Sequence, residues 1–354
     1  MKKSLQELDP NFQVPTVEDG LAWHSLSTPL VDGMGWPLES DAFCRLPRRA
    51  EGIVRDPVWE LSRHSAGICA RFFTDATQIS ARWTLRNEAL AMPHMAATGV
   101  SGLDLYARDG AIWRWAGVGV AAQFPDNEAV LLQNISGGEY EFLLYMPLYN
   151  GLSNLQIGVP ENATFRIEPR STKPLCFYGT SIGQGGCATR AGMAYPAILG
   201  RRLDCPTINL GFSGNGQNEP EIADLLATLE PAVFILDSVP NMSLEQTEKR
   251  VRPLVQTLRT ARGSTPIVLV ESISHQAQWI NHSLRDSEAK NAVLRAAYEQ
   301  LKSEGMEKLY YVQGDDLLGD DGEGTVDGVH PTDVGFRRIA DSLEPVLKEI
   351  LSNE

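Results

Sequence analysis

The hydrophobic pattern of this chain changes near residue 172, and that change constrains the fold more than any other feature of the sequence. Beyond it, short and nearly continuous apolar runs alternate with longer segments of helical character. Apolar strands separated by helices predict a parallel β-sheet that is covered by helices on both faces. The predicted strands are 174–178, 206–211, 232–237, 266–271 and 309–313, and the predicted helices are 190–203, 219–229, 243–262, 284–304 and 333–351.

The first half of the chain has a different pattern. Its short runs of β-forming residues alternate polar and apolar positions and are separated by Gly, Asp and Pro turns, which predicts an antiparallel β-sandwich or jelly roll. The length of 354 residues also favours two domains. We therefore expect a β-sandwich domain over 1–170 and an α/β domain over 171–354. The clearest β-runs are 67–73, 78–85, 129–134 and 140–146.

Charge and cysteine content exclude several classes of protein. The formal net charge of −14 argues against a nucleic-acid partner, whose phosphates require a basic surface. The five cysteines are scattered and contain no Cys-x-x-Cys pair, so neither a disulfide framework nor a zinc site is expected. Residues 4–10 are too polar for the apolar segment of a signal peptide, and no apolar run is long enough to span a membrane. We expect a cytoplasmic protein without a membrane partner.

A serine and an Asp-His pair are placed to meet at one edge of the predicted sheet. Ser181 lies in a Gly-rich turn directly after the first strand of the α/β pattern, and Asp327 and His330 follow the fifth strand. Sites in such sheets lie at the carboxyl ends of the strands, so the three side chains are expected on the same edge. This predicts a serine nucleophile with His330 as its base and Asp327 orienting the imidazole. In the other interpretation, Asp327 caps the last helix and His330 is a solvated loop residue.

The same turn also matches the G-x-S-x-G pattern of the α/β-hydrolases, with Gly179, Ser181 and Gly183. In that fold the acid and the histidine lie far apart in the sequence. Here Asp327 and His330 are only three positions apart. We therefore treat the match as incidental.

Residues 172–351 resemble the SGNH (GDSL-type) hydrolases. The block around Ser181 is similar to the one that carries the family's nucleophile, with Thr180 in place of the usual Asp of Gly-Asp-Ser. The final Asp-x-x-His-Pro block is similar to Asp327-Gly-Val-His330-Pro331. The resemblance implies a flavodoxin-like three-layer fold, with a five-stranded parallel sheet and an esterase-type catalytic triad.

The resemblance further implies an oxyanion hole. Its donors would be the Ser181 N–H, the Gly214 N–H of the second block and the Asn241 side chain of the third. The third block departs from the family's Gly-x-Asn-Asp, so Asn241 is assigned by its position after the strand. Two alternatives stay open: Gly214 only serves a turn that needs positive φ, and Asn241 only caps the helix that begins near Ser243.

The first half also carries a resemblance. Gly102-Leu-Asp104-Leu-Tyr106 is similar to the Gly-x-Asp-Leu-Tyr motif of a β-sandwich domain that precedes some SGNH hydrolases, and 144–151 fits its final strand and turn. Such a domain could bind a glycan, form an oligomer contact or wall the active-site cleft. We favour the last two roles, which leaves a homo-oligomer open. Trp113 and Trp115 are predicted to lie in its core rather than to form a carbohydrate platform.

These observations predict a serine esterase that hydrolyses short acyl esters, acetyl esters above all, of a carbohydrate or another hydroxylated metabolite. The substrate would be a small-molecule ester, the reaction would pass through an acyl-enzyme, and no metal ion or organic cofactor is expected. One alternative is an acyltransferase that passes the acyl group to an alcohol. Another is a non-catalytic binding protein with a degenerate hydrolase domain.

Three weaker signals complete the prediction. His275, Trp279 and His282 follow the fourth strand and are expected to contact the substrate. The acidic loop 315–323 does not have the spacing of an EF-hand, so calcium is not expected. The Gly-x-Gly-x-x-Ala run at 117–122 has no helix after it, so a dinucleotide site is rejected.

Overall fold

The computed structural model describes residues 15–353, so the segment 4–10 discussed above lies outside the described residues. The described chain forms two compact units. The first contains the chain up to Arg49 together with Arg63–Ser171 and Arg190–Gly192. The second contains Ala50–Ser62, Thr172–Thr189 and the chain from Met193 onward. None of the helices within 15–353 is both long and apolar enough to cross a membrane.

The first unit contains two five-stranded antiparallel sheets. The strand orders are β1-β2-β9-β4-β7 and β10-β3-β8-β5-β6, and a short helix, α2, follows β4. The four predicted β-runs are confirmed as β3, β4, β7 and β8. The strands are β1 Thr16–Glu18, β2 Leu21–Ser25, β3 Cys69–Thr74, β4 Gln78–Leu85, β5 Leu103–Asp109, β6 Ile112–Gly119, β7 Asp126–Gln133, β8 Tyr140–Tyr145, β9 Leu152–Pro160 and β10 Phe165–Ile167, and α2 is Ala97–Val100.

The core of the first unit follows from the period of two along its strands. In β4, Ile79, Ala81, Trp83 and Leu85 are all buried and belong to one hydrophobic cluster. Alternate side chains of a strand point to the same face, so this face of the sheet packs inward. Leu105 of β5, in the other sheet, belongs to the same cluster.

The prediction that Trp113 and Trp115 lie in this core is wrong. The Trp115 residue is 52% exposed and Trp113 is partly exposed. The register of β6 against β5 shifts at Ala116, because Leu105 pairs with Gly117 whereas Tyr106 pairs with Trp115. Such a bulge moves the residues beyond it to the opposite face of the strand.

The polar residues of the Gly-x-Asp-Leu-Tyr motif bind the segment 190–192 of the same unit. The Asp104 residue is fully buried, and its carboxylate accepts hydrogen bonds from Arg190 Nη1 at 2.8 Å and Gly192 N at 2.9 Å. Tyr106 Oη lies 3.2 Å from Arg190 Nη1. The backbone from 190 to 192 is therefore held by side chains of β5, and the helix predicted over 190–203 begins only at Tyr195.

The second unit contains one five-stranded sheet whose strands are all parallel. Its order is β12-β11-β13-β14-β15, the flavodoxin-like order, which confirms the predicted α/β fold. The connection that leaves β11 runs to β12 on one side, and the connection that leaves β13 runs to β14 on the other side, so the carboxyl ends of β11 and β13 flank the crevice of the sheet. The strands are β11 Leu175–Gly179, β12 Thr207–Gly211, β13 Val233–Asp237, β14 Ile267–Val270 and β15 Leu309–Val312.

The helices of the second unit pack in two groups. Helix α4, at Tyr195–Arg202, packs with α8, at Asp333–Ser352. Helix α6, at Leu244–Arg262, packs with α5, at Pro220–Leu226, and with α7, at Asp286–Ser303. Thr332 caps α8 by accepting a hydrogen bond from Gly335 N, and Ser243 caps α6 in a capping box with Gln246. The helices are α1 Asp56–Ser62, α3 Ser181–Gln184, α4 Tyr195–Arg202, α5 Pro220–Leu226, α6 Leu244–Arg262, α7 Asp286–Ser303 and α8 Asp333–Ser352.

Candidate active site

Ser181 is the first residue of α3, directly beyond the carboxyl end of β11. Thr180 precedes it in extended conformation, and its hydroxyl accepts a hydrogen bond from Ile182 N at 3.2 Å. Gly179 leaves room for the neighbouring strand, because a Cβ there would lie 2.5 Å from the carbonyl oxygen of Asp237. The strand-to-helix turn therefore fixes the serine at the crevice between β11 and β13.

The structure brings Ser181, His330 and Asp327 together in one chain of hydrogen bonds. Ser181 Oγ lies 2.9 Å from His330 Nε2, and His330 Nδ1 lies 2.7 Å from Asp327 Oδ2. This arrangement can deprotonate a hydroxyl at Nε2 while a carboxylate holds the ring from the other side. Asp327 does not cap the last helix, because Thr332 occupies that position.

The Asp327 carboxylate is held by the turn in which it lies. Its Oδ1 accepts hydrogen bonds from the backbone N–H groups of Val329 at 3.1 Å and His330 at 2.8 Å. Partial burial acts to raise the pKa of Asp327, but the hydrogen bonds from His330 and Val329 outweigh it and lower that pKa to about 2. The carboxylate is therefore ionised at neutral pH and can stabilise a protonated imidazole.

The loop 211–216 packs against the turn that carries Ser181. Phe212 N donates to the carbonyl oxygen of Gly179 at 3.0 Å, and Ser213 N donates to Gln184 Oε1 at 3.0 Å. A Cβ on Gly216 would collide with the carbonyl oxygen of Gly179. The backbone of this loop is thus pressed against β11.

Gly214 and Asn241 each leave one hydrogen-bond donor without a partner in the described chain. Gly214 has a φ of +69°, which a glycine adopts without strain, and its N–H has no hydrogen-bond partner within the described chain. Asn241 Oδ1 accepts a hydrogen bond from Gly216 N at 3.3 Å, so the Nδ2 donor points elsewhere and has no partner within 15–353. The cap of α6 is Ser243, so the alternative role of Asn241 as the helix cap is wrong.

Of the three residues after β14 that were expected to contact the substrate, His275 and Trp279 line a cavity and His282 does not. His275 lies behind the Asp327–His330 turn, because a Cβ on Gly328 would collide with its ring. His275 and Trp279 also line a cavity of about 500 Å³, and the Trp279 residue is 73% exposed. His282 lies in the short 3₁₀ helix His282–Leu284 and is not among the residues that line this cavity.

Two titratable groups near the crevice have perturbed pKa values. Burial raises the pKa of the Cys187 thiol to about 11, so it is not a competing thiolate nucleophile. Burial also raises the pKa of Asp237, at the end of β13, to about 7, against the opposing effect of a hydrogen bond from Tyr195. Sequence reasoning missed Asp237, whose only local signal is its place at the end of a strand, because its environment is formed in part by Tyr195 from α4.

Family comparisons agree with this architecture. The GDSL-like lipase/acylhydrolase family matches residues 172–348. The family described as the GxDLY N-terminus of SGNH-hydrolase-type esterases matches residues 21–165. No curated protein gives a match.

Solved structures give the same result. A protein assigned as a GDSL-like lipase from Bacteroides ovatus ATCC 8483 is 35% identical, with a TM-score of 0.89, over 94% of this chain and 98% of that chain. A salicylyl-acyltransferase from a tetracycline biosynthetic pathway is 16% identical, with a TM-score of 0.71, over 95% and 96% of the two chains. A family two carbohydrate esterase from Clostridium thermocellum, solved with cellohexaose, is 15% identical, with a TM-score of 0.58, over 81% and 93%.

The fold is that of an SGNH hydrolase domain preceded by a β-rich domain, and the class of enzyme is a carboxylic ester hydrolase. The chain belongs to the GDSL-like lipase/acylhydrolase family.

Proposed function

We propose that this protein is a serine esterase that removes short acyl groups, acetyl above all, from hydroxyl groups of a carbohydrate or another hydroxylated metabolite. The observation that carries the proposal is the hydrogen-bond chain from Ser181 through His330 to Asp327. The catalytic part of the chain would be 171–354, with 1–170 as an accessory domain. We further propose a cytoplasmic location, where the five buried cysteine thiols would stay reduced.

The reaction would proceed in two halves through an acyl-enzyme. Ser181 Oγ attacks the ester carbonyl carbon while His330 Nε2 takes the hydroxyl proton, and ionised Asp327 stabilises the resulting imidazolium. His330 then returns the proton to the departing alcohol as the ester C–O bond breaks. Water attacks the acyl-enzyme in the same way, which releases the acid and restores the serine hydroxyl.

The negative charge of the tetrahedral intermediate needs preorganised donors. We assign this role to the Gly214 N–H and Asn241 Nδ2, which have no partner within the described chain, and to the Ser181 N–H. Each such donor lowers the barrier by about 3–4 kcal/mol, because it is already oriented when the charge develops.

The alcohol portion of the substrate would extend from Ser181 toward the cavity that His275 and Trp279 line, because the His275 ring also lies against Gly328 of the Asp327–His330 turn. This cavity combines the exposed indole of Trp279 with the amides of Gln276 and Gln278 and the carboxylate of Asp315. An aromatic face beside amide and carboxylate groups suits a sugar ring, whose C–H face is apolar and whose hydroxyls need acceptors and donors. The cellohexaose complex of a carbohydrate esterase with the same fold supports this choice of substrate class.

Two experiments test the proposed chemistry. Ser181→Ala should lower kcat for a short-chain nitrophenyl ester by about 10⁶-fold while circular dichroism stays unchanged. A fluorophosphonate should add its mass to the peptide that contains Ser181 in the wild-type protein and not in the variant. Full activity in Ser181→Ala would reject the proposal.

Acyl transfer is the alternative function, and a salicylyl-acyltransferase with a similar fold makes it worth testing. It uses the same acyl-enzyme and differs in whether an alcohol or water attacks it. Measuring transfer product against free acid in the presence of candidate alcohols decides between the two. The non-catalytic alternative fits poorly with a complete Ser181–His330–Asp327 chain, and failure of fluorophosphonate labelling would be the evidence for it.

A further inference from the structure

The loop that carries Gly214 is fastened by an arginine from the first half of the chain. Arg55 directly precedes α1 and belongs to the same compact unit as the parallel sheet. Its Nη1 donates to Asn215 Oδ1 at 2.7 Å and its Nη2 donates to the Asn215 carbonyl oxygen at 3.0 Å. Its Nε donates to Glu219 Oε1 at 2.6 Å. One planar guanidinium therefore holds both the side chain and the backbone of Asn215.

The ion pair with Glu219 holds the Arg55 guanidinium in this position. The Glu219 residue is only 8% exposed, and its second oxygen, Oε2, is buried without a hydrogen-bond partner in the described chain. Arg55 is the cation that compensates this carboxylate. A buried carboxylate without a cation is strongly unfavourable, so the pair keeps the guanidinium in place.

The contact continues into the proposed oxyanion hole through one peptide group. The carbonyl oxygen of Asn215 accepts from Arg55. The N–H of the same peptide group, that of Gly216, is shared between the Phe212 carbonyl oxygen at 3.1 Å and Asn241 Oδ1 at 3.3 Å. Because a peptide group is planar, fixing its oxygen also fixes the direction of its N–H. Because Asn241 Oδ1 faces this N–H, Nδ2 at the other end of the amide points away from it and can act as a donor.

Inside its own loop Asn215 makes two hydrogen bonds: its N–H donates to the Phe212 carbonyl oxygen and its Nδ2 donates to the Ser213 carbonyl oxygen, each at 2.8 Å. Arg55 adds an anchor from outside the loop. Asn215 lies between Gly214 and Gly216, and a glycine restricts the backbone less than any other residue does, so this added anchor limits the conformations of the stretch. The Gly214 N–H belongs to this stretch and has no partner of its own within 15–353. A displaced Asn215 would therefore move two of the proposed donors together.

We infer that Arg55 is a positioning residue that orients the oxyanion donors Gly214 N–H and Asn241 Nδ2 through Asn215 and Gly216. The inference rests on the proposed esterase function. Arg55 itself bonds to the loop and takes no part in the bond-making steps, so its effect should fall on kcat and leave the KM for a small ester almost unchanged.

The first test compares Arg55→Ala and Arg55→Lys with a matched control. Arg262→Ala removes a guanidinium that likewise binds a backbone carbonyl, of Ala227 at 2.8 Å, and a carboxylate, of Glu230 at 3.1 Å. We expect Arg55→Ala to lower kcat for nitrophenyl acetate by about 30-fold, Arg55→Lys by a smaller factor, and Arg262→Ala by less than about twofold. Added guanidinium ion should restore activity to Arg55→Ala and not to the control.

The second test asks whether Arg55 acts through Asn241. In an Asn241→Ala background, Arg55→Ala should lower kcat by less than about fivefold, because one of the two donors that it orients is gone and only the Gly214 N–H remains. Unchanged kcat in folded Arg55→Ala would overturn the inference. So would a loss of the same size in both backgrounds without guanidinium rescue, since that is the behaviour of a purely structural ion pair.

Ser181→Ala separates this inference from the proposed function. If that variant is inactive and the Arg55 variants are fully active, only the positioning role fails. Retained activity in Ser181→Ala would overturn the esterase chemistry and the positioning role together.

Discussion

Asp237 makes the stability of this protein depend on pH in an unusual direction. It ends β13, where it pairs in register with Gly179, and the residue is 7% exposed. Its Oδ2 accepts a hydrogen bond from the Tyr195 hydroxyl at 3.1 Å. Burial raises the pKa of Asp237 to about 7, and the Tyr195 hydrogen bond offsets only part of that rise.

The sign follows from proton binding. The pKa of an unfolded Asp is about 3.9, so between that value and the folded value the native state binds more protons than the unfolded state. Stability from this group is therefore present at low pH and lost as pH rises through the folded pKa. Between pH 5 and the folded pKa of about 7, the native state keeps a proton that the unfolded state has already lost. Over these roughly two pH units the protein loses about 2–3 kcal/mol of stability, and the loss is complete by about pH 8.

Asp237→Asn removes the charge and keeps an acceptor for Tyr195. We expect the unfolding free energy of the variant, relative to wild type, to rise by about 2–3 kcal/mol between pH 5 and pH 8. Urea unfolding at several pH values measures this, and the comparison cancels other titrating groups. Asp224→Asn, at an exposed site on α5, is the control and should show no such trend. Parallel pH profiles of wild type and Asp237→Asn would refute the reasoning.

Three further predictions concern the site. Asp327→Asn should lower kcat on the order of 10⁴-fold, because it removes the carboxylate that stabilises the imidazolium, and a loss below tenfold in steady-state assays would contradict that role. Asn241→Ala should lower kcat by about 10²–10³-fold with little change in KM, and a pure KM effect would rule out an oxyanion donor. Trp279→Ala should lower kcat/KM for an acetylated oligosaccharide by about tenfold and leave nitrophenyl acetate hydrolysis unchanged. Equal losses on both substrates would remove Trp279 from the sugar site.

The fold could be predicted from the sequence because both halves have regular periodicity. Apolar strands at 174–178 and 232–237 are recognisable without their neighbours, as the observed β11 and β13 confirm. Boundaries set by distant contacts could not be predicted. The helix expected at 190 begins at Tyr195, because Arg190 and Gly192 bind Asp104 of β5.

The prediction for Trp113 and Trp115 was wrong for a related reason. Spacing predicts that Trp113 and Trp115 share a face, but not which face that is. One additional residue in the register, Ala116, turned both away from the core.

The candidate site was partly predictable because its parts follow strands that end at one edge. Ser181, Asp327 and His330 each have a recognisable local context, and their hydrogen bonds follow from the parallel topology. Local sequence could not decide whether Asn241 or Ser243 caps α6. Arg55 was beyond prediction altogether, since its partners Asn215 and Glu219 lie in the other half of the sequence and no local pattern links them.

The glycines around Ser181 have a consequence for mutational scanning. A side chain on Gly179, Gly211 or Gly216 would collide with backbone atoms of Asp237, Gln184 or Gly179, which cannot swing aside as a neighbouring side chain could. In a saturation screen for activity these positions should be as intolerant as the nucleophile itself, although none supplies a reacting group. An activity screen alone would therefore assign too many residues to the catalytic centre. Measuring protein abundance for each variant would distinguish the glycines, whose substitution disrupts folding, from the residues that take part in catalysis.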